Sequence, residues 1–197
     1  MNNIRVVLDA GHGKGCGNSS PDGRLVEFIY AREIVAEVFS RLFAEGYNVK
    51  LVTPELQDIK LKERVRRINS ICEEFGASNV LSVSVHVNAA KSDKKWHNAR
   101  GWVSLVSKNA SMNSKKLSRL IWEHAIDRGL KGNRSIPTEG YIQQNLAICR
   151  DTKCPAVLVE VGFMDNESDV EMMLSEKGRE RIISTIVQGI KEYIEGK

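Results

Sequence analysis

No apolar run in this 197-residue chain approaches the roughly 20 residues that a membrane-spanning helix needs, so no integral membrane segment is expected. The opening MNNIRVVLDAG lacks a charged n-region, the roughly 7–15-residue apolar stretch and the small-residue cleavage site of a secretory signal. It therefore predicts synthesis in the cytoplasm without a signal peptide. The four cysteines, Cys16, Cys72, Cys149 and Cys154, form no C-x-x-C pair and read as reduced thiols. Lysine and arginine exceed aspartate and glutamate by 29 to 25, a net charge of +4, but no dense basic block or nucleic-acid motif accompanies the excess. No nucleic-acid partner is expected, whereas mild basicity suits attraction to an anionic polymer. Fixed-period repeats and low-complexity tracts are absent too. With 42% hydrophobic and 27% charged residues the composition is that of an ordinary globular protein, and one domain spanning residues 1–197 accounts for the chain.

What is present is an alternation of strand and helix patterns. Strands are expected at Ile4–Asp9, Asn48–Val52, Asn79–Val87, 101–107 and Ala156–Glu160. Helical stripes run from Val26 to Glu45, where Gly46 fits a C-cap, and through Leu61, Val65, Ile68, Cys72 and Phe75. Further helices are expected at Ser114–Ile126, Glu167–Leu174 and Gly178–Ile194, with polar loop at Ala89–Arg100 and irregular chain at Lys131–Tyr141. This order predicts an α/β fold: a single domain with a mostly parallel twisted sheet flanked by helices on both faces.

Four polar side chains sit at the ends of these elements. His12 follows IRVVLDAG, His86 follows NVLSVSV, and Glu160 ends PAVLVE. Glu27 follows the glycine-rich GHGKGCGNSSPDG at the start of a helix. Carboxyl ends of strands are where α/β sheets gather ligands and catalytic groups. Two imidazoles and one carboxylate are a ligand set for catalytic zinc, and a further carboxylate then serves as base and acid. On this reading His12, Glu27 and His86 hold one Zn2+ per chain and Glu160 is catalytic. Plainer alternatives stand beside it. His12 as a loop histidine and His86 as a strand-end cap need no metal. Glu27 in a first helical turn is stabilised by the helix dipole alone. Glu160 at the end of a buried strand is costly unless it is functional or salt-bridged to Arg150 or a nearby lysine.

The segments VVLDAGHGKG, GRLVEFIYAREIVAEV, LSVSVHVNAA and PAVLVEVGFMDNESD, in this order and spacing, resemble the zinc-dependent N-acetylmuramoyl-L-alanine amidases. RGWVSLVS, SKKLSRLIWEHAIDRGLKG and NLAICRDTKCPAVLVE are similar to the same family's intervening segments, so the resemblance runs from about Ile4 to Ile194. It implies His12, Glu27 and His86 as zinc ligands and Glu160 as the catalytic glutamate. The implied reaction is hydrolysis of the amide between N-acetylmuramic acid and the L-alanine of the stem peptide, with peptidoglycan as partner. Ala10, Lys14 and Met164-Asp165 depart from the residues common in the family, which bears on loop shape and substrate preference.

Other candidates are weaker. Asp9 is placed to orient His12, a common role for a carboxylate behind a zinc-bound imidazole. Asn88 and Arg150 are candidates for hydrogen-bonding the substrate, or equally for fixing turns. Cys16 reads as a loop residue, His97 as solvent-exposed and His124 as packed on a helix face. The missing signal and wall-binding module predict a lysin of phage or prophage type, an endolysin acting in cytolysis, released to the wall by a separate holin-type or export protein. The rivals are another zinc exopeptidase or deacylase, disfavoured because only three clear ligands are present, and a non-catalytic wall-binding module, which would be expected to have lost Glu160 or a ligand.

Overall fold

The computed structural model describes residues 3–196; residues 1, 2 and 197 of the expected domain lie outside them. The elements follow in the order β1 (Arg5–Ala10), α1 (Glu27–Ala44), β2 (Asn48–Leu51), α2 (Leu61–Phe75), β3 (Val80–Asn88), β4 (Val103–Ser107), α3 (Met112–Asp127), β5 (Ile142–Gln144), α4 (Ala147–Arg150), β6 (Ala156–Phe163), α5 (Glu167–Leu174) and α6 (Glu176–Glu195). The strands form one six-stranded sheet in the order β2-β1-β3-β6-β4-β5. Pairing is parallel throughout except between β6 and β4, which run antiparallel. The expected α/β fold with a mostly parallel sheet is therefore the observed one. No helix among the described residues is long and apolar enough to cross a membrane.

Strand alternation divides the core into two layers. On β1, β3 and β6, the residues Val6, Leu8, Val83, Val85, Val157 and Val159 face one way and pack with apolar residues of α1, α3 and α6. The intervening positions, Val7, Val80, Ala156 and Leu158, face Ile68 and Cys72 of α2 and Ile148 and Cys149 of α4. Continued along each strand, this second set leads to Asp9, His86 and Glu160. The sparser face is thus apolar beneath its helices and polar where the strands run past them. Register aligns the groups, because Asp9 lies opposite Ser84 and His86 opposite Glu160.

Several boundaries differ from the sequence reading for local reasons. Ser111 and Ser175 accept the N–H of Ser114 and Gly178 at 3.1 and 3.0 Å, so α3 and α6 each begin two residues before the expected start. β6 continues past Glu160 through Val161-Gly162-Phe163. β5 and α4, of three and four residues, are too short to carry a periodic pattern.

Candidate metal centre and catalytic cleft

His12 leaves β1 in the left-handed region, at φ 55°, a conformation uncommon for a non-glycine residue. Its neighbours leave it little choice. A Cβ on Gly11 would lie 2.5 Å from the His86 ring, and one on Gly13 would lie 2.2 Å from the backbone of Asp58. The glycines flanking His12 therefore reflect close approach as much as loop flexibility. From the other side, Arg64 of α2 fixes the turn. Its guanidinium donates to the carbonyls of Ala10 (2.6 Å), His12 (2.9 Å) and Ile59 (2.7 Å), and to the carboxylates of Asp9 (3.1 Å) and Asp58 (3.2 Å). That engages all five guanidinium N–H donors of a side chain that is only 5% exposed.

Glu27, the first residue of α1, is 1% exposed and joins the two histidines. Its Oε1 accepts the Val87 N–H at 3.0 Å and lies 3.2 Å from His86 Nδ1. Its Oε2 accepts from Asn18 Nδ2 at 2.9 Å and lies 3.4 Å from His12 Nε2. Burial alone would raise the Glu27 carboxyl, but the His86 hydrogen bond, both imidazoles and the Val87 N–H outweigh it and hold the group below its ordinary value. Burial lowers His12, with His86 and Arg64 adding to the effect and Glu27 opposing it. For His86 the desolvation is overcome by Glu27, Glu160 and Asp9, so its pKa is raised. One ligand atom from each of His12, Glu27 and His86 lies within 4.8 Å of the others. A neutral imidazole at His12, a carboxylate held ionised and a donor set of two nitrogens and one oxygen at this spacing suit a zinc-sized cation.

Glu160 is treated differently. It lies opposite His86 across the β3–β6 pair and, among the described residues, forms no ion pair. Its Oε2 is buried without a hydrogen-bond partner. Burial pushes its carboxyl up to about 7, with His86 opposing the rise and Glu27 adding to it. It lines a cleft of about 470 Å3 together with His12, Asn18, Glu27, His86 and Lys91. A second, more apolar cleft of about 260 Å3, lined by Ile59, Leu146, Ile148 and Leu158, shares His12 and His86 with the first. The His12, Glu27 and His86 cluster thus lies between a charged groove and an apolar one.

The remaining candidates are distributed less simply. Asp9 hydrogen-bonds Arg64 and Thr53 rather than the His12 ring, so it steadies the His12 backbone through Arg64. Asn88 lines the large cleft while its Oδ1 accepts the Ala89 N–H at 2.8 Å. Arg150 is not in the cleft. At the exposed end of α4 it pairs with Asp151 and Asn145, which also removes it as a partner for Glu160. His97, expected to be exposed, is mostly covered and bonded to Asp93 at 2.8 Å. His124, expected to be packed, pairs at the α3–α6 edge with Glu192 at 2.8 Å. Cys16 is half-buried and outside the ligand cluster.

Two members of the site escaped the sequence reading. Asn18 is hidden in a loop where polar residues are ordinary. Arg64 carried a usable signal, because it lies on the same helical stripe as Leu61, Ile68 and Cys72, where a charge must find buried partners.

Comparison with known proteins identifies the family and the fold. The probable cell wall amidase LytH of Staphylococcus epidermidis is 29% identical over 191 residues, covering 95% of this chain and 57% of the relative. The chain thus spans little more than half the length of that curated relative. The catalytic domain of CwlV, an N-acetylmuramoyl-L-alanine amidase from Bacillus (Paenibacillus) polymyxa var. colistinus, superposes with a TM-score of 0.80 at 27% identity, covering 98% of this chain and 99% of that one. The amidase Ami1 of Mycobacterium smegmatis shares the fold, with a TM-score of 0.83 at 21% identity and 98% of each chain covered. The Amidase_3 family profile, described as N-acetylmuramoyl-L-alanine amidase, matches residues 6–192. From the strand-end histidines to the last helix, the chain belongs to the N-acetylmuramoyl-L-alanine amidase family.

Proposed function

We propose that this chain hydrolyses the amide between the lactyl group of N-acetylmuramic acid and the L-alanine of the peptidoglycan stem peptide, with zinc held by His12, Glu27 and His86. The observation that carries the reading is Glu160, a half-buried residue whose Oε2 is buried without a partner beside three convergent groups of metal-ligand type. A buried carboxylate oxygen is normally hydrogen-bonded, so an unpartnered one lining a cleft next to a ligand-type cluster is suited to chemistry.

Zinc bound at this site supplies Lewis acidity toward the scissile carbonyl and toward a water. Glu160 takes the proton of that water as its oxygen attacks the lactyl carbonyl carbon. It returns the proton to the L-alanine nitrogen as the C–N bond breaks, leaving a lactyl carboxylate and a free amine. A carboxyl whose pKa lies near 7 can serve in both directions near neutral pH. Asn18 holds Glu27 by its outer oxygen, and the Val87 N–H holds the inner one, so the ligand carboxylate is oriented before any substrate arrives. The polymeric substrate makes the cell wall the place of action, in keeping with the chain's modest positive charge.

Digestion of purified sacculi by zinc-loaded protein, with mass spectrometry of the products, tests the reading. Free stem peptides beginning at L-alanine, together with unsubstituted glycan strands, are expected. Cleavage between sugars or within the stem, or no release by fully metallated protein, would overturn it.

A further inference from the structure

The wall of the large cleft carries a cation that the reaction leaves unused. Ala89, Lys91, Ser92 and Lys94 line the cleft from the β3–β4 loop, in the same cavity as His12 and Glu160. This wall is braced at both ends. Asp165, 4% exposed, accepts the N–H groups of Ala90 and Lys91 through Oδ2 at 2.8 and 3.0 Å. Lys94 reaches across to Gly17 O at 2.9 Å and Ser19 Oγ at 3.1 Å, closing the wall onto the glycine-rich loop. Asp93 bonds His97 at 2.8 Å and also feels the charge of Lys91, with no direct hydrogen bond between the Asp93 and Lys91 side chains. Lys91 lines the cleft with no ion pair or side-chain hydrogen bond among the described residues, while its backbone is held in place.

We infer that Lys91 is a specificity-determining residue that receives a carboxylate of the substrate on the peptide side of the scissile amide. The inference rests on the amidase reading above. N-acetylated glycan strands are uncharged apart from substituents, whereas the stem peptide carries carboxylates. The one nearest the scissile bond is the free α-carboxylate of the γ-linked glutamyl residue that follows L-alanine. Its carboxamide counterpart has nearly the same shape without the charge. A lysine whose backbone is held meets the charged form with less ordering cost than one on a mobile loop, and because Lys91 is exposed its attraction is screened and modest in size.

Two synthetic muramoyl peptides differing only at that second residue, carboxylate against carboxamide, test the inference with zinc-loaded protein. Wild type is expected to favour the carboxylate by about fivefold in kcat/KM, mostly through KM. Lys91→Met brings the two substrates to the same kcat/KM, and Lys91→Arg keeps the preference. Equal cleavage of both peptides by wild type overturns the role of Lys91 and leaves the amidase reading standing. A Lys91→Met variant that slows both substrates alike, or keeps the preference, overturns it too. Cleavage of neither peptide by wild type overturns the amidase reading and this inference together.

Discussion

Arg64 and Glu160 are both ionisable residues at the carboxyl end of the sheet, on the face covered by α2 and α4, yet their surroundings differ. Every guanidinium N–H of Arg64 has an acceptor, drawn from two carboxylates and three carbonyls on both sides of His12. Glu160 has a buried oxygen with no partner and a carboxyl raised to about 7. The first arrangement is that of a scaffold, in which a buried charge is compensated and fixes the backbone around a ligand. The second is costly for the fold and suited to moving a proton. Position in the fold therefore does not distinguish the two roles; satisfaction of the polar atoms does.

Substitutions sharpen this contrast in order of expected effect. His86→Ala removes a proposed zinc ligand and should abolish turnover together with zinc occupancy, read by metal analysis of the purified protein; unchanged zinc content would contradict its assignment. Arg64→Ala leaves Asp9 buried and uncompensated and should cost about 3–5 kcal/mol in denaturant unfolding. Arg64→Lys recovers part of that loss, since a lysine cannot reproduce the five-bond fork. Glu160→Gln should act in the opposite direction on the metal-free protein. The folded state keeps the Glu160 proton up to about 7, whereas the unfolded chain releases it near the ordinary value of 4.5, so the native protein loses stability as pH rises between them. Above pH 7 Glu160→Gln should therefore be more stable by roughly 3 kcal/mol, with the advantage gone below the ordinary carboxyl range. A flat difference across pH would show that the burial of Glu160 is compensated. Arg150→Ala, outside the cleft and paired only at the surface, should leave turnover and melting temperature at wild-type values.

Much of this molecule is legible in its sequence, for identifiable reasons. β1, β3 and β6 are β-branched runs with turn residues at their ends, and α1, α2 and α6 carry apolar stripes, so their existence follows from periodicity. The direction of β4 does not, because an isolated apolar segment carries no sign of which way it pairs. The four convergent residues stand at the ends of strong elements, where pattern and chemistry point the same way. Asp9, Arg64 and Arg150 show where the reading stops. Side-chain partners are set by tertiary contact, so Asp9 turned to Arg64 instead of His12, and Arg150 turned to Asp151 on the surface. His124 lies on an apolar stripe but close enough to the α3–α6 edge to find Glu192.

The most direct test of the central claim is the behaviour of Glu160→Gln on sacculi, with turnover and bound zinc measured on the same preparation. A proton-transfer role predicts a fall in turnover of about 10²–10⁴ with zinc stoichiometry equal to wild type. Turnover near wild type, or a loss of activity matched by a loss of zinc, would contradict it.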